Sequence, residues 1–131
     1  MNGERHHVAI TFFMSFQPDG TAAGTFTAAG AVSDSGTAIA QPTVTSRDDD
    51  TGALTGNLAL RGSRGDLNWE YAGTSYPLGA PRTLSHATAR LTSGTRDYLG
   101  MQCEAKLVTT ADFVAAIFAG ALQGLLVPGP D

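Results

Sequence analysis

His7-Val8-Ala9-Ile10-Thr11-Phe12-Phe13-Met14-Ser15-Phe16 alternates along its whole length. Val8, Ile10, Phe12, Met14 and Phe16 share one face, and Ala9, Thr11 and Ser15 share the other with Phe13. A period of two with bulky apolar residues on one side predicts a half-buried β-strand. Gln17-Pro18-Asp19-Gly20 follows as a turn, with proline at its second position. The next stretch, 22–32, keeps Gly24, Phe26, Ala28, Gly30 and Val32 in phase. Small residues on an inward face suit a tightly curved sheet or leave room for a ligand.

The pattern continues outward from there. Asp34-Ser35-Gly36 reads as a hairpin turn. Residues 37–45 form a threonine-rich strand in which Pro42 points to an edge or a bulge. After a polar loop at 46–52, residues 53–61 place Leu54, Leu58 and Leu60 in phase, and Gly62-Ser63-Arg64-Gly65 turns the chain. Residues 66–72 set Leu67, Trp69 and Tyr71 opposite Asp66, Asn68 and Glu70. A loop with Pro77, Gly79 and Pro81 leads to a strand at 83–91 whose phase is ambiguous. Following a loop at 93–97, residues 99–108 put Met101, Cys103, Ala105 and Leu107 on one face and Gln102, Glu104 and Lys106 on the other. Residues 112–127 are open to two readings. Alanine content, a possible cap at Asp112 and the spacing of Phe113, Ile117 and Ala121 favour a docking helix. Gly120 and Gly124 favour a strand, with Val114, Phe118, Leu122 and Leu126 on one face.

Seven or eight short strands without intervening helices predict an all-β antiparallel barrel or sandwich, and the strong alternation favours a small closed barrel of eight strands. Closure removes sheet edges, which suits a chain with a single lysine, Lys106. A length of 131 residues holds one domain, 1–131, with frayed ends at 1–6 and 128–131.

Composition narrows the function. The formal charge is −4, and the seven arginines are scattered. No basic stripe marks a nucleic-acid binder or a polybasic membrane anchor. Charged residues are only 15%, against 20 Ala, 16 Thr and 16 Gly, which is the profile of strands and tight turns. Hydrophobic residues at 42% argue against disorder. The polar start at 1–7 does not read as a signal peptide, and the uncharged run at 113–130 is too broken for a membrane span. A cytoplasmic protein is expected. The preference for alanine, glycine, arginine and aspartate over lysine is common in high-GC bacteria.

Several segments together resemble a known family. They are Gly24-Thr25-Phe26-Thr27-Ala28-Ala29-Gly30, Leu54-Thr55-Gly56, Gly62-Ser63-Arg64-Gly65 and Ser93-Gly94-Thr95-Arg96-Asp97-Tyr98-Leu99-Gly100-Met101-Gln102-Cys103-Glu104. This set resembles bacterial allene oxide cyclase-like barrel proteins, over residues 21–108. The shared residues are turn and packing residues, which report a fold more than a function. Cys103 stands where a glycine is usual in that family, and Arg96 replaces its second turn glycine. The wider group is similar to plant allene oxide cyclases, dirigent proteins of calycin-like form and bacterial cyclases that close spirotetronate rings. The resemblance implies an apolar cavity that folds a hydrophobic substrate for cyclisation or isomerisation, with catalysis by orientation.

Candidate site residues follow from type and phase. Phe12, Met14, Phe26, Trp69, Tyr71, Met101 and Cys103 are expected to line the barrel wall, with Tyr76 and Tyr98 rimming a cavity mouth. Glu70, His86 and Tyr98 are the candidate catalytic groups. On parity with Asp66 and Asn68, Glu70 faces solvent; on the opposite parity it is a buried carboxylate and the best acid or base in the chain. His86 is a candidate proton donor or acceptor and shares a face with Arg90. Cys103, predicted inward, reads as a small hydrophobe. His6 and His7 read as part of a frayed end, and Asp48-Asp49-Asp50 as a solvated turn without the ligand spacing of a calcium loop. No metal site and no cofactor are expected. The partner expected first is a hydrophobic small molecule, handled by a cyclase or isomerase. A non-catalytic carrier and a structural barrel are the alternatives. Self-association into a dimer or trimer is expected through the apolar segment 113–127.

Overall fold

The structure, a computed structural model, describes residues 6–30, 33–46, 51–79 and 82–128. Nine strands account for nearly all of them: β1 (His6–Phe16), β2 (Ala22–Gly30), β3 (Asp34–Ser46), β4 (Gly52–Gly62), β5 (Asp66–Pro77), β6 (Arg82–Gly94), β7 (Met101–Gln102), β8 (Glu104–Asp112) and β9 (Ile117–Pro128). Arg96–Tyr98 forms one short 3-10 turn. No described helix is long and apolar enough to cross a membrane, which says nothing about a β-barrel.

Eight strands close into an antiparallel barrel in the order β1-β2-β3-β4-β5-β6-β8-β9, with β9 pairing back onto β1. The two-residue β7 adds to the far end of β9. Closure follows from the alternation. Val8, Ile10, Phe12 and Met14 are buried on β1, as are Leu54, Leu58 and Leu60 on β4 and Leu67, Trp69 and Tyr71 on β5. The inward glycines allow the curvature: a Cβ on Gly24 of β2 would overlap the Phe13 carbonyl of β1.

Several expectations need correcting. Asp34, Ser35 and Gly36 are not a turn; they open β3 and pair with Ala28, Thr27 and Phe26 of β2. Their turn-like composition is overridden because the Asp34 carboxylate is used elsewhere. Pro42 lies beyond Ala40, the last β3 residue with a β2 partner, so its missing N–H falls where the strand has a neighbour on one side only. The ambiguous strand resolves with Ser85, Ala89 and Leu91 buried and His86 and Arg90 outward, and its register against β5 shifts only beyond Leu91, between Trp69 and Asn68.

The strand expected at 99–108 is broken. Tyr98 belongs to the 3-10 turn, Leu99 is exposed, and pairing with β6 begins only at Glu104. The segment 112–127 is a strand, but only from Ile117 onward. Asp112 does cap, yet it caps a turn: its Oδ1 accepts from the Val114 and Ala115 N–H groups at 3.0 and 2.9 Å. Val114, expected in phase with Phe118, is therefore exposed in that turn. His6 and His7 are not a loose end, because both pair with β9, and Pro128 pairs with Met101. Val32, Asp48 to Asp50, Pro81 and residues 129–131 lie outside the described residues.

Candidate functional site

Up-and-down connectivity gathers alternate strand ends at each end of the barrel, and the two ends differ. At one end the start of β3 meets the β4–β5 turn and the 3-10 turn. Asp34 is buried there. Its Oδ1 accepts from the Ser35 N–H at 2.8 Å and from the Ser63 N–H and hydroxyl, both at 2.9 Å. Its Oδ2 accepts from the Tyr98 hydroxyl at 2.7 Å and the Arg64 N–H at 3.3 Å. Burial alone would raise the Asp34 pKa, but the bonds from Tyr98, Ser63, Ser35 and Arg64 outweigh it and hold the carboxyl below its ordinary value. Burial, then the bond to Asp34 and its charge, hold the Tyr98 phenol above its usual range. This end is plugged.

The other end is open. The last residues of β1, β3 and β8 and the first of β6 and β9 surround a pocket of about 350 Å³. Phe16, Pro42, Val44, Ala111, Phe113 and Phe118 supply most of its wall, with Thr83 and Ser85 on one side. Phe16 contacts two further rings. Phe16 stacks on Phe113 at 5.7 Å and 17°, and tilts against Phe118 at 5.7 Å and 45°. Phe118 in turn meets Phe12, deeper in the barrel, at 6.0 Å. Depressions of about 640 and 560 Å³ on the outer wall are larger. They are lined in large part by polar and charged residues, including Arg90, Gln102 and Glu104 in one and Gln41, Asn57 and Glu70 in the other. The mouth has the apolar wall that a small-molecule site requires.

Between the two ends the barrel is filled by side chains such as Met14, Leu58, Trp69, Leu107 and Leu122, all fully buried. Phe12, Phe26, Tyr71 and Cys103 also point inward and are buried, and Met101 on β7 is partly buried. Tyr71 Oη and Trp69 Nε1 have no hydrogen-bond partner, and burial pushes the Tyr71 phenol above its usual range. Burial also pushes the Cys103 thiol up to about 11, which keeps it a protonated hydrophobe. Its side chain takes the space over Gly124, where a Cβ would come within 2.9 Å of the sulfur.

The three candidate catalytic groups do not converge. Glu70 faces outward and pairs with Arg90 across β5 and β6. His86 also faces outward, edge-on to Tyr76 at 6.2 Å. The strand parity that buries Trp69 and Tyr71 sends Glu70 outside, and Tyr76 leaves the expected rim for the same reason. Tyr98 does not rim a mouth; it is buried at the plugged end, drawn in by Asp34.

The mouth residues Phe113, Phe118, Pro42, Val44, Ala111 and Ser85 were not among the site residues expected from the sequence. Alternating strand direction is the signal that could have found them, since it places the end of one strand beside the start of the next. No family model, curated protein or solved structure matches the chain.

Proposed function

We propose that this barrel binds a compact hydrophobic small molecule in its open mouth, between the Phe16–Phe113 stack and the walls formed by Val44, Ala111 and Phe118. The observation that carries this reading is the contrast between the two ends, one plugged by a hydrogen-bonded carboxylate and the other an apolar pocket. The described residues of the pocket wall include no titratable side chain. Turnover at this site, of the cyclase or isomerase kind, would be turnover by orientation alone. Binding is the property the geometry supports, which brings the carrier reading forward.

The test is thermal unfolding against a panel of small aromatic and alicyclic compounds. A ligand at a hundredfold excess over its Kd stabilises the protein by about 2.7 kcal/mol. Ala111→Phe fills the pocket from β8, and it is expected to abolish that stabilisation while keeping a cooperative transition. An unchanged ligand response in Ala111→Phe, or no response to any compound, overturns the reading. Chromatography of each bound compound after incubation reads out turnover in the same experiment.

A separate observation favours self-association. Apart from the buried Asp34, no Asp, Glu, Lys or Arg occurs in β9, β1, β2 or β3, which are neighbours in the barrel. Their outer face exposes Phe13 at 56%, Ile39 at 44% and Leu125 at 41%. An uncharged face meets a second copy of itself without like-charge repulsion, as a two-fold interface requires. Sedimentation velocity is expected to show a dimer that Phe13→Lys converts to a folded monomer. A monomeric wild-type protein would exclude this surface as the interface.

A further inference from the structure

Apart from Asp34 at the plugged end, the buried serine, threonine and charged residues of the described chain are Ser75, Ser85 and Thr109, at 4%, 4% and 2% exposure. They form one rung. Ser75 of β5 stands opposite Ser85 of β6, and Ser85 stands opposite Thr109 of β8. Residues directly opposite share a face, with Cβ atoms about 4.5–5.5 Å apart. Three hydroxyls therefore run side by side along the inner wall. The rung lies at the mouth. Ser85 lines the pocket, and so do Thr83 and Ala111, the next inward positions toward the opening on β6 and β8. Ser75 approaches the Val44 wall: a Cβ on Gly52 would lie 2.5 Å from Val44 Cγ1 and 3.6 Å from Ser75 Cβ. The described residues give none of the three hydroxyls a hydrogen-bond partner. The unpartnered atoms that are sealed off are Tyr71 Oη and Trp69 Nε1, so these three oxygens open onto free space, which for Ser85 is the mouth.

We propose that the ligand of the mouth carries a neutral carbonyl-type acceptor, a ketone or an ester, and that Ser85 Oγ donates to it while the apolar remainder lies against Phe16, Phe113 and Phe118. This rests on the mouth-binding reading and adds the chemical class. Proton counting selects an acceptor. Ser75 and Thr109 flank Ser85 two strand spacings apart, about 10 Å, so they do not reach each other. Three hydroxyls in such a row hold three protons and can make at most two bonds among themselves. One proton is always left over, and an unmet donor at a buried position costs more than an unmet lone pair gains. A carbonyl takes that proton and brings none of its own. Charge decides between a carbonyl and a carboxylate. Arg82, the residue before Thr83, is paired with Asp112 at 3.5 Å and its side chain is 70% exposed. A carboxylate on the rung would be desolvated without a cation, whereas a neutral carbonyl needs only a donor.

Three probes of similar size separate the alternatives: 4-phenyl-2-butanone, butylbenzene and 3-phenylpropionate. Calorimetry compares their affinities for the wild-type protein and for Ser85→Ala. The variant deletes only an unpartnered hydroxyl, so it is expected to melt no lower than wild type. It is expected to weaken the ketone about fivefold, the value of one net neutral hydrogen bond, and to leave butylbenzene unchanged. The carboxylate is expected to bind more weakly than the ketone. Difference infrared spectroscopy supplies a reading that needs no variant: the carbonyl stretch of the bound ketone is expected to fall below its value in hexane. A ketone affinity unchanged in Ser85→Ala, an equal loss for the hydrocarbon, carboxylate binding as tight as the ketone's, or a stretch that matches hexane overturns this inference and leaves the mouth reading standing. Failure of all three probes to bind, or binding unaffected by Ala111→Phe, overturns both.

Discussion

Truncation after Asp112 is expected to abolish folding. The removed strand, β9, is hydrogen-bonded on both sides, from His6↔Leu126 to Ser15↔Ile117 against β1 and from Ala105↔Gly124 to Asp112↔Ile117 against β8. It also buries Phe118, Leu122 and Leu126, each worth roughly 2 kcal/mol of apolar transfer. Opening the barrel leaves β1 and β8 as long unpaired edges, a template for aggregation. The lost burial and pairing together match or exceed the roughly 5–15 kcal/mol that stabilises a domain. Circular dichroism of the 1–112 fragment is expected to show no cooperative thermal transition. A fragment that melts cooperatively would mean that the seven remaining barrel strands form an independent sheet, and the closed barrel would no longer be the folding unit.

Replacing Asp34 by alanine is expected to cost about 3–4 kcal/mol, measured by urea unfolding. The carboxylate joins the start of β3, the β4–β5 turn and the 3-10 turn, segments separated by up to 64 residues. Removing it leaves the Tyr98 hydroxyl and the Ser63 and Arg64 amides without their acceptor. The pH dependence has a definite sign. The folded Asp34 carboxyl lies below its ordinary value. Its contribution is therefore complete above the unfolded value, about 3.9, and is lost as pH falls through the folded value. Asp19, held down chiefly by the Thr21 hydroxyl, and Asp112, held down chiefly by the Ala115 N–H, titrate in the same direction. The difference between wild type and Asp34→Asn isolates the Asp34 part: the wild-type advantage is expected to be full at neutral pH and to shrink below about pH 4. An advantage that stays constant through the acid range would mean that Asp34 acts through shape alone. Tyr98→Phe is expected to cost less, about 1–2 kcal/mol, and the double variant less than the sum, because both remove the same bond.

The alternation of 7–16 by itself determined which residues of β1 enter the core, and the same parity rule sorted Leu67, Trp69 and Tyr71 from Asp66, Asn68 and Glu70. This was legible because the two faces of a strand are set by covalent geometry, one residue at a time. Gln17 to Gly20 was legible for the same local reason: the Gly20 N–H donates to the Gln17 carbonyl at 3.0 Å, with Gly20 at a φ of 87°.

The remaining features depended on partners distant in the chain. Residues 112–127 hold four alanines, and helix propensity competes there until β1 and β8 both offer a ladder; only the closed barrel supplies two. Asp34 carries a turn residue's identity, but its donors come from 29 and 64 positions away. Tyr98 looks like a loop residue until that carboxylate draws it inward. The mouth exists only because Phe16, Pro42, Val44, Ala111 and Phe118, on four different strands, end at the same height. Local stereochemistry fixes the face of a side chain. Register and closure decide which end of the barrel is plugged and which stands open, because they set the distances between residues that the sequence keeps far apart.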